Sequence, residues 1–194
     1  MAFRSEPLDP ARHRLNSLDS GEAELDTWLR EHAAGAEARR VARTFVWCRA
    51  DEDVAVGYYS LAGHRLVRDD LPKSIGRGSP AEVPAVLLAR LAIDASLQGQ
   101  GLGGALLADA LRRVVVATEL VAARFVVVDA LHENAAKFYE HHGFRLIPGT
   151  LRMVQKLSSV VATLEPQMSD PPATTTSFDP PTSRAQGVSP VAHW

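Results

Sequence analysis

Along residues 20–36 the apolar positions recur at three- and four-residue spacing. Leu25, Trp28, Leu29, His32, Ala33 and Ala36 fall on one stripe. That period predicts an amphipathic helix, capped by Asp19 or Ser20, with Trp28 turned into the core. Residues 3–8 ahead of it read as a short strand. Residues 43–49 and 54–61 are rich in β-branched and aromatic side chains and are split by Asp51-Glu52-Asp53. This pattern predicts an antiparallel hairpin. Residues 67–84 are rich in Gly, Pro and charge and read as a loop, of a length that compact domains reserve for binding loops or lids.

The run Val86-Leu87-Leu88-Ala89-Arg90-Leu91-Ala92-Ile93 is apolar apart from one arginine. It predicts a strand buried on both faces. A glycine-rich turn follows, then a helix carrying Leu106, Leu107, Ala110, Leu111 and Val114, and a second buried strand over residues 125–128. Asn134 is the expected cap of a short helix with Ala135, Phe138, Tyr139 and His142 on its apolar face, ended by Gly143. Two strands are expected near residues 145–147 and 152–157, and Leu164 closes the domain. Residues 165–194 hold half of the chain's prolines, many Ser and Thr residues and no apolar period. They predict a disordered tail behind a single domain over residues 1–164.

Composition narrows the function. At 194 residues the chain can bury one sizeable core. Cys48 is the sole cysteine, which excludes an internal disulfide and a cysteine-based zinc site. His32, His64, His132, His141 and His142 show no ligand spacing, so no metal is expected. Arg4, Glu6 and Asp9 interrupt the N-terminal stretch, and Arg112, Arg113, Glu119 and Arg124 break the longest apolar segments. Neither a signal peptide nor a membrane span is therefore expected, and the reading is cytoplasmic. A formal charge of −2 argues against coating nucleic acid by bulk electrostatics. Two local basic groups stand out nonetheless: Arg30, Arg39, Arg40, Arg43 and Arg49, then His64, Arg65, Arg68, Lys73 and Arg77. On charge alone each is a solvated face.

Gln98-Gly99-Gln100-Gly101-Leu102-Gly103-Gly104 carries the chemistry. A strand, then glycines, then a helix start aims unpaired amides and the positive end of the helix dipole at an anion. Glycine permits close backbone approach and positive φ. A Walker A loop needs Lys and then Ser or Thr after its last glycine, whereas Ala105 and Leu106 follow here. Gly99, Gly101 and Gly104 satisfy the dinucleotide fingerprint, with Asp129 as an imitation of its ribose-binding acid. That fold, however, begins with this unit and needs several more parallel strands after it.

Gln98-x-x-Gly101-x-Gly103 resembles the cofactor motif of the GNAT acetyltransferase superfamily. Asn134-Ala135-Ala136-Lys137-Phe138-Tyr139-Glu140-His141-His142-Gly143-Phe144 resembles the helix that follows its splayed strands. The resemblance implies a GNAT fold of the α/β (α+β) class. Such a fold has a mixed, mostly antiparallel twisted sheet, splayed central parallel strands and flanking helices. It implies acetyl-CoA as co-substrate, with pyrophosphate on the glycine turn, including Gly99, Gln100 and Gly104, and pantetheine along the backbone of Leu91, Ala92 and Ile93. Asn134 would approach the pantetheine arm, and Tyr139 would be the general acid for the CoA sulfur.

No carboxylate lies on the strand before Asp94, so no general base is apparent. A lysine amine of pKa ~10.4 is neutral in roughly one molecule per thousand near pH ~7.4, and an α-amine near ~7.8 in roughly a quarter. A low-pKa amine is the acceptor such a site suits. Within the superfamily the chain is similar to TacT-like toxins of bacterial toxin–antitoxin pairs. The likeness rests on residues 18–29, on Val56-Gly57-Tyr58-Tyr59-Ser60-Leu61, on Leu88 to Asp94, and on Asp129-Ala130. Ser20 stands where those toxins often carry Cys, and the proline-rich tail departs from their pattern. The likeness implies acetylation of aminoacyl-tRNA, a ribbon-helix-helix antitoxin as partner, and a homodimer as a common assembly. It gives Arg30, Arg39, Arg40, Arg43, Arg65, Lys73 and Arg77 a use as phosphate contacts. An acetyltransferase acting on a small-molecule or protein amine, or an idle CoA-binding regulator, are the alternative readings.

Overall fold

The computed structural model describes residues 3–168. Seven strands form one sheet in the order β1-β2-β3-β4-β5-β7-β6. They are β1 (Phe3–Pro7), β2 (Arg43–Arg49), β3 (Ala55–Val67), β4 (Glu82–Ile93), β5 (Phe125–Asp129), β6 (Arg145–Leu146) and β7 (Arg152–Lys156). Every pairing is antiparallel except β4 with β5. This is the mixed, mostly antiparallel sheet that the resemblance implied.

Side chains alternate across the sheet as its pleat requires. On one face Trp47, Tyr59, Leu88, Val126, Val128 and Met153 pack against α4 (Leu102–Thr118), α5 (Glu133–His141) and α6 (Leu157–Met168). On the other face Val46, Cys48, Tyr58 and Ala92 pack under Leu25, Leu29 and Ala33. Those three come from α1 (Ala23–Thr27), a π-helical turn (Trp28–His32) and α2 (Ala33–Ala38). Farther along this second face, Phe125, Val127, Val154 and Val83 meet Leu71 and Ile75, the latter on α3 (Lys73–Gly76).

β4 and β5 pair only from Ala85↔Phe125 to Leu88↔Val128. There the β3–β4 register shifts: Leu61 faces Leu88, yet Ser60 faces Arg90, so Ala89 is an extra residue in β4. An inserted residue bends its strand and raises local twist. Past the bulge β4 runs on to Ile93 beside β3 but away from β5. The guanidinium of Arg90 donates to the Ala89 carbonyl at 2.7 Å, which satisfies a group at the irregularity.

Several elements differ from the expectation. The loop expected over 67–84 holds for residues 68–81, which contain a 3-10 turn and α3, but the strands around it are longer than expected: β3 extends to Val67 and β4 begins at Glu82. Leu66, Val83 and Ala85 are buried between exposed neighbours, an alternation too short to show against Gly63 and Pro84. Neither Asp19 nor Ser20 caps the first helix. Glu22 holds the cap position, and the Asp26 carboxylate reaches back to the N–H and hydroxyl of Ser20. Trp28 is half-buried rather than internal, stacked on Tyr58 with ring centroids 6.1 Å apart. His132, not Asn134, caps α5, its Nδ1 accepting from the Ala135 N–H at 3.1 Å. α6 was not foreseen, although Leu157, Val160 and Leu164 pack on the core at helical spacing. From residue 169 onward the expected tail lies outside the described residues.

One polar cluster ties α4 to the first three strands. The Asp109 carboxylate accepts from the Ser5 hydroxyl, from Tyr59 Oη at 2.7 Å and from Trp47 Nε1 at 3.3 Å. Asp109→Ala leaves the buried Tyr59 hydroxyl and the Trp47 N–H without that acceptor. It should cost about 2–3 kcal/mol, seen as a lower urea midpoint at unchanged slope. Asp109→Asn keeps one acceptor oxygen and should cost less.

Candidate functional site

The end of β4 is anchored before the chain turns. The Asp94 N–H donates to the Val56 carbonyl at 2.9 Å, and its carboxylate accepts from the N–H groups of Ser96 and Asp19. Gln98 then braces the turn from inside. Its Nε2 donates to the carbonyls of Ser20 at 2.8 Å and Ile93 at 3.1 Å. Gly99 and Gly101 take left-handed φ values of +72° and +76°, a region where a side chain is strained. Gly101 is the cap residue of the 17-residue α4. The first-turn amides of Leu102, Gly103 and Gly104 lack intrahelical acceptors there, and the helix dipole adds positive potential. At Gly104 a Cβ would stand 3.0 Å from the His142 ring, so any larger residue requires that ring to shift.

A cleft of about 650 Å³ runs from this turn along the freed edge of β4 to α5. Its walls bring together Leu91, Ala92, Ile93, Gln98, Gly99, Gly101, Gly103, Gly104, Asn134 and Tyr139. Gln100 is not among them. Its side chain folds back onto the Ser96 carbonyl at 3.0 Å. Asn134 is exposed in the first turn of α5, with its side chain free of the capping role assigned to it. Tyr139 is buried, held edge-on by Phe138 and Phe144 with centroids 5.2 and 5.6 Å away. Burial pushes its phenol well above the ordinary tyrosine value, so it keeps its proton and can donate it.

A second, smaller cleft of about 350 Å³ reaches Tyr139 from the other side. It shares Glu22, Leu25, Leu91, His132 and Ala135 with the first and adds Glu24, Arg90 and Asp129. These charged residues were not among the predicted site residues. Arg90 had a visible signal, as the one charge inside an apolar strand run. Glu22 and His132 had none, since 110 residues separate two side chains that now touch. Asp129 is held by Arg152 through two bonds of 2.7 and 2.9 Å. That guanidinium holds its carboxyl below the usual range. With a single parallel pairing in the sheet, no dinucleotide fold surrounds it.

The basic residues fall into two groups, neither of which lines these clefts. Arg30, Arg39, Arg40 and Arg43 are exposed where the helical arm returns to β2, and Arg43 lies 3.4 Å from Glu37. Arg65, Lys73 and Arg77 surround the β3–β4 connection, and Arg65 pairs with Glu82. Elsewhere Glu6, His13 and Cys48 converge, but Arg4 and Arg12 already pair with Glu6 at 2.7 Å each. Burial raises the Cys48 thiol to about 11, so it is no thiolate nucleophile. Among the described residues no helix is long and apolar enough to cross a membrane.

Comparison with known proteins agrees with this geometry. The family model described as "Acetyltransferase (GNAT) domain" matches residues 42–146. A tRNA-acetylating toxin of Mycobacterium tuberculosis is 40% identical over 134 residues, covering 69% of this chain and 80% of that protein. The structure of AtaT complexed with acetyl-methionyl-tRNAfMet superposes with a TM-score of 0.77 at 32% identity, covering 84% of this chain and 99% of that one. A tyrosine-to-phenylalanine mutant of AtaT, bound to the C-terminus of the antitoxin AtaR and acetyl-CoA, superposes with a TM-score of 0.72 at 30% identity. That match covers 84% of this chain and 98% of the other.

Tyr58, Tyr59 and Tyr139 are the chain's three tyrosines, and burial raises all three phenols. A phenol raised in the folded state adds stability below its unfolded pKa of about 10, and that stability is lost as pH climbs past it. Titration from about pH 8 to 11 should therefore show no tyrosinate absorbance while the circular dichroism of the fold persists. One tyrosine ionising in that range with the fold intact, and absent in Tyr139→Phe, would contradict the buried phenol.

Proposed function

This chain belongs to the GNAT acetyltransferase family, and we propose that it transfers the acetyl group of acetyl-CoA to the α-amine of an aminoacyl-tRNA. The observation that carries the reading is the meeting of two clefts at Tyr139: one lined by the glycine turn at the head of α4 and a free strand edge, the other by charged side chains. A two-substrate transfer needs such an arrangement, because bringing both reactants to one point supplies much of its acceleration.

In this reading the first-turn amides of α4 hold the pyrophosphate. The backbone of Leu91, Ala92 and Ile93 pairs with pantetheine as a further strand would. Gly99, Gly101, Gly103 and Gly104 leave room for that approach, Gln98 braces the turn, and Asn134 flanks the arm. Acetyl-CoA supplies the activated acyl group. An amide of the Leu91–Ile93 edge polarises the carbonyl. Tyr139 Oη carries the proton that the departing sulfur takes up.

Support for the acceptor comes from the 40% identical tRNA-acetylating toxin and from the likeness to AtaT with its acetylated initiator tRNA. An acetylated α-amine has lost the nucleophile that peptide-bond formation requires, so the product blocks translation. Arg30, Arg39, Arg40, Arg43, Arg65, Lys73 and Arg77 lie outside both clefts and would contact phosphates of the tRNA body. A toxin of this kind acts in the cytoplasm, where charged tRNA is used. It requires a neutralising partner, as AtaT has in the antitoxin AtaR, and the resemblance to TacT-like toxins makes that partner a ribbon-helix-helix antitoxin.

The test is acetyl transfer from labelled acetyl-CoA to a pool of charged tRNA. Label should appear on the aminoacyl group, and Tyr139→Phe should lose about 100-fold or more of the rate. A folded, CoA-binding protein that leaves charged tRNA unlabelled would overturn the reading and direct the search to other amines.

A further inference from the structure

Glu22 and His132 sit on opposite sides of the opening between the two clefts and close it with a bond of 3.1 Å from His132 Nε2 to Glu22 Oε1. Glu22 comes from the head of the N-terminal helical arm, and His132 from the head of α5. Each lines both clefts, as does Tyr139. The geometry settles the proton's position on the imidazole. Nδ1 accepts the Ala135 N–H, so in the neutral ring the proton lies on Nε2 and is donated to Glu22. His132 is thereby committed at both nitrogens, as cap and as donor.

The other charged groups of the acceptor-side cleft are placed differently. Asp129 is engaged twice by Arg152. Arg90 lies over the Trp28 ring, 5.3 Å from its centroid, and bonds the Ala89 carbonyl. Glu24 lines the second cleft but not the first. Glu22 alone among these carboxylates borders both clefts.

We propose that Glu22, oriented by His132, is the anchor for the acceptor's ammonium group at the junction of the two clefts. The inference rests on the aminoacyl-tRNA reading for the identity of that acceptor, and on the geometry alone for its charge. The carboxylate accepts a hydrogen bond from the protonated amine as it arrives beside Tyr139. It is also the group onto which one N–H proton passes before the nitrogen attacks: the N–H bond breaks, an O–H bond forms on Glu22, and the nitrogen keeps the electron pair. His132 is a positioning residue. Its Nε2–H fixes the carboxylate across the opening, and its cap on α5 fixes the ring.

The experiment measures steady-state transfer to charged tRNA and, in parallel, to a lysine-containing peptide. Wild type is compared with Glu22→Gln, which preserves size, and with His132→Asn, which preserves the helix cap. Neutralising the carboxylate that accepts from the ammonium should raise the acceptor KM by about tenfold to 100-fold in Glu22→Gln, with the KM for acetyl-CoA unchanged. His132→Asn should give a smaller rise in the same acceptor KM, with α5 intact by circular dichroism. Wild-type transfer to charged tRNA that Glu22→Gln leaves unaltered, or a loss that falls equally on acetyl-CoA, overturns the anchor and leaves the proposed function standing. Transfer to the peptide alone, still sensitive to Glu22→Gln, overturns the tRNA reading and keeps the anchor. No wild-type transfer to either acceptor overturns both.

Discussion

The extra residue at Ala89 is the constraint on which the site depends. β5 ends at Asp129, and at the same level the bulge turns β4, so the backbone of Leu91 to Ile93 has no strand partner on the β5 side. The two strands part at Leu88↔Val128. A polar strand edge then borders a cleft instead of a neighbour, and an incoming extended molecule can pair with it. The irregularity costs little because Arg90 covers the Ala89 carbonyl and Gln98 covers that of Ile93. Cleft and ladder are thus two outcomes of one register shift.

Everything else at the site is placed relative to that opening. The glycine turn follows the freed strand directly, so the head of α4 points into the same space that β4 borders. α5 crosses the opening from β5, and its cap and its buried tyrosine face inward from the far wall. The N-terminal arm is clipped to this frame at two levels. The Ser20 carbonyl accepts from Gln98, and Glu22 accepts from His132. A segment more than 70 residues from the glycine turn in sequence therefore forms one wall of both clefts. Asp109 supports the opposite face, joining β1, β2 and β3 to α4 through one carboxylate. The α4 axis, and with it the aim of the amides, depends on that attachment.

The elements that were legible in the sequence are those whose signal is local. The stripe of Leu25, Leu29, Ala33 and Ala36, the apolar runs of β4 and β5, and the glycines ahead of α4 all express a period or a backbone requirement that holds wherever the segment sits. Ten of the eleven residues assigned to the cofactor and to proton donation line one cleft. The exception, Gln100, faces the Ser96 carbonyl, and nothing local distinguishes it from Gln98. The helix caps were misassigned because several residues near each start can accept an N–H. Which one does so is settled by how the chain arrives. The far ends of the hairpin arms were not read as strand because Leu66, Val83 and Ala85 are buried in one cluster with Leu71, Ile75, Phe125 and Val127, contacts that no local pattern reveals.

By itself, then, the sequence determined the secondary-structure periods and the glycine turn ahead of α4, because each follows from spacing and from what glycine alone permits, while Tyr139 was singled out by the resemblance of its helix to the family's. Only the tertiary structure decided where β4 departs from β5, that a second charged cleft meets the first at Tyr139, and that Glu22 and His132 face each other across it. Those are distances between segments remote along the chain. They are set by a register shift between two strands and by the packing of two helices, and no local pattern of residues encodes either one.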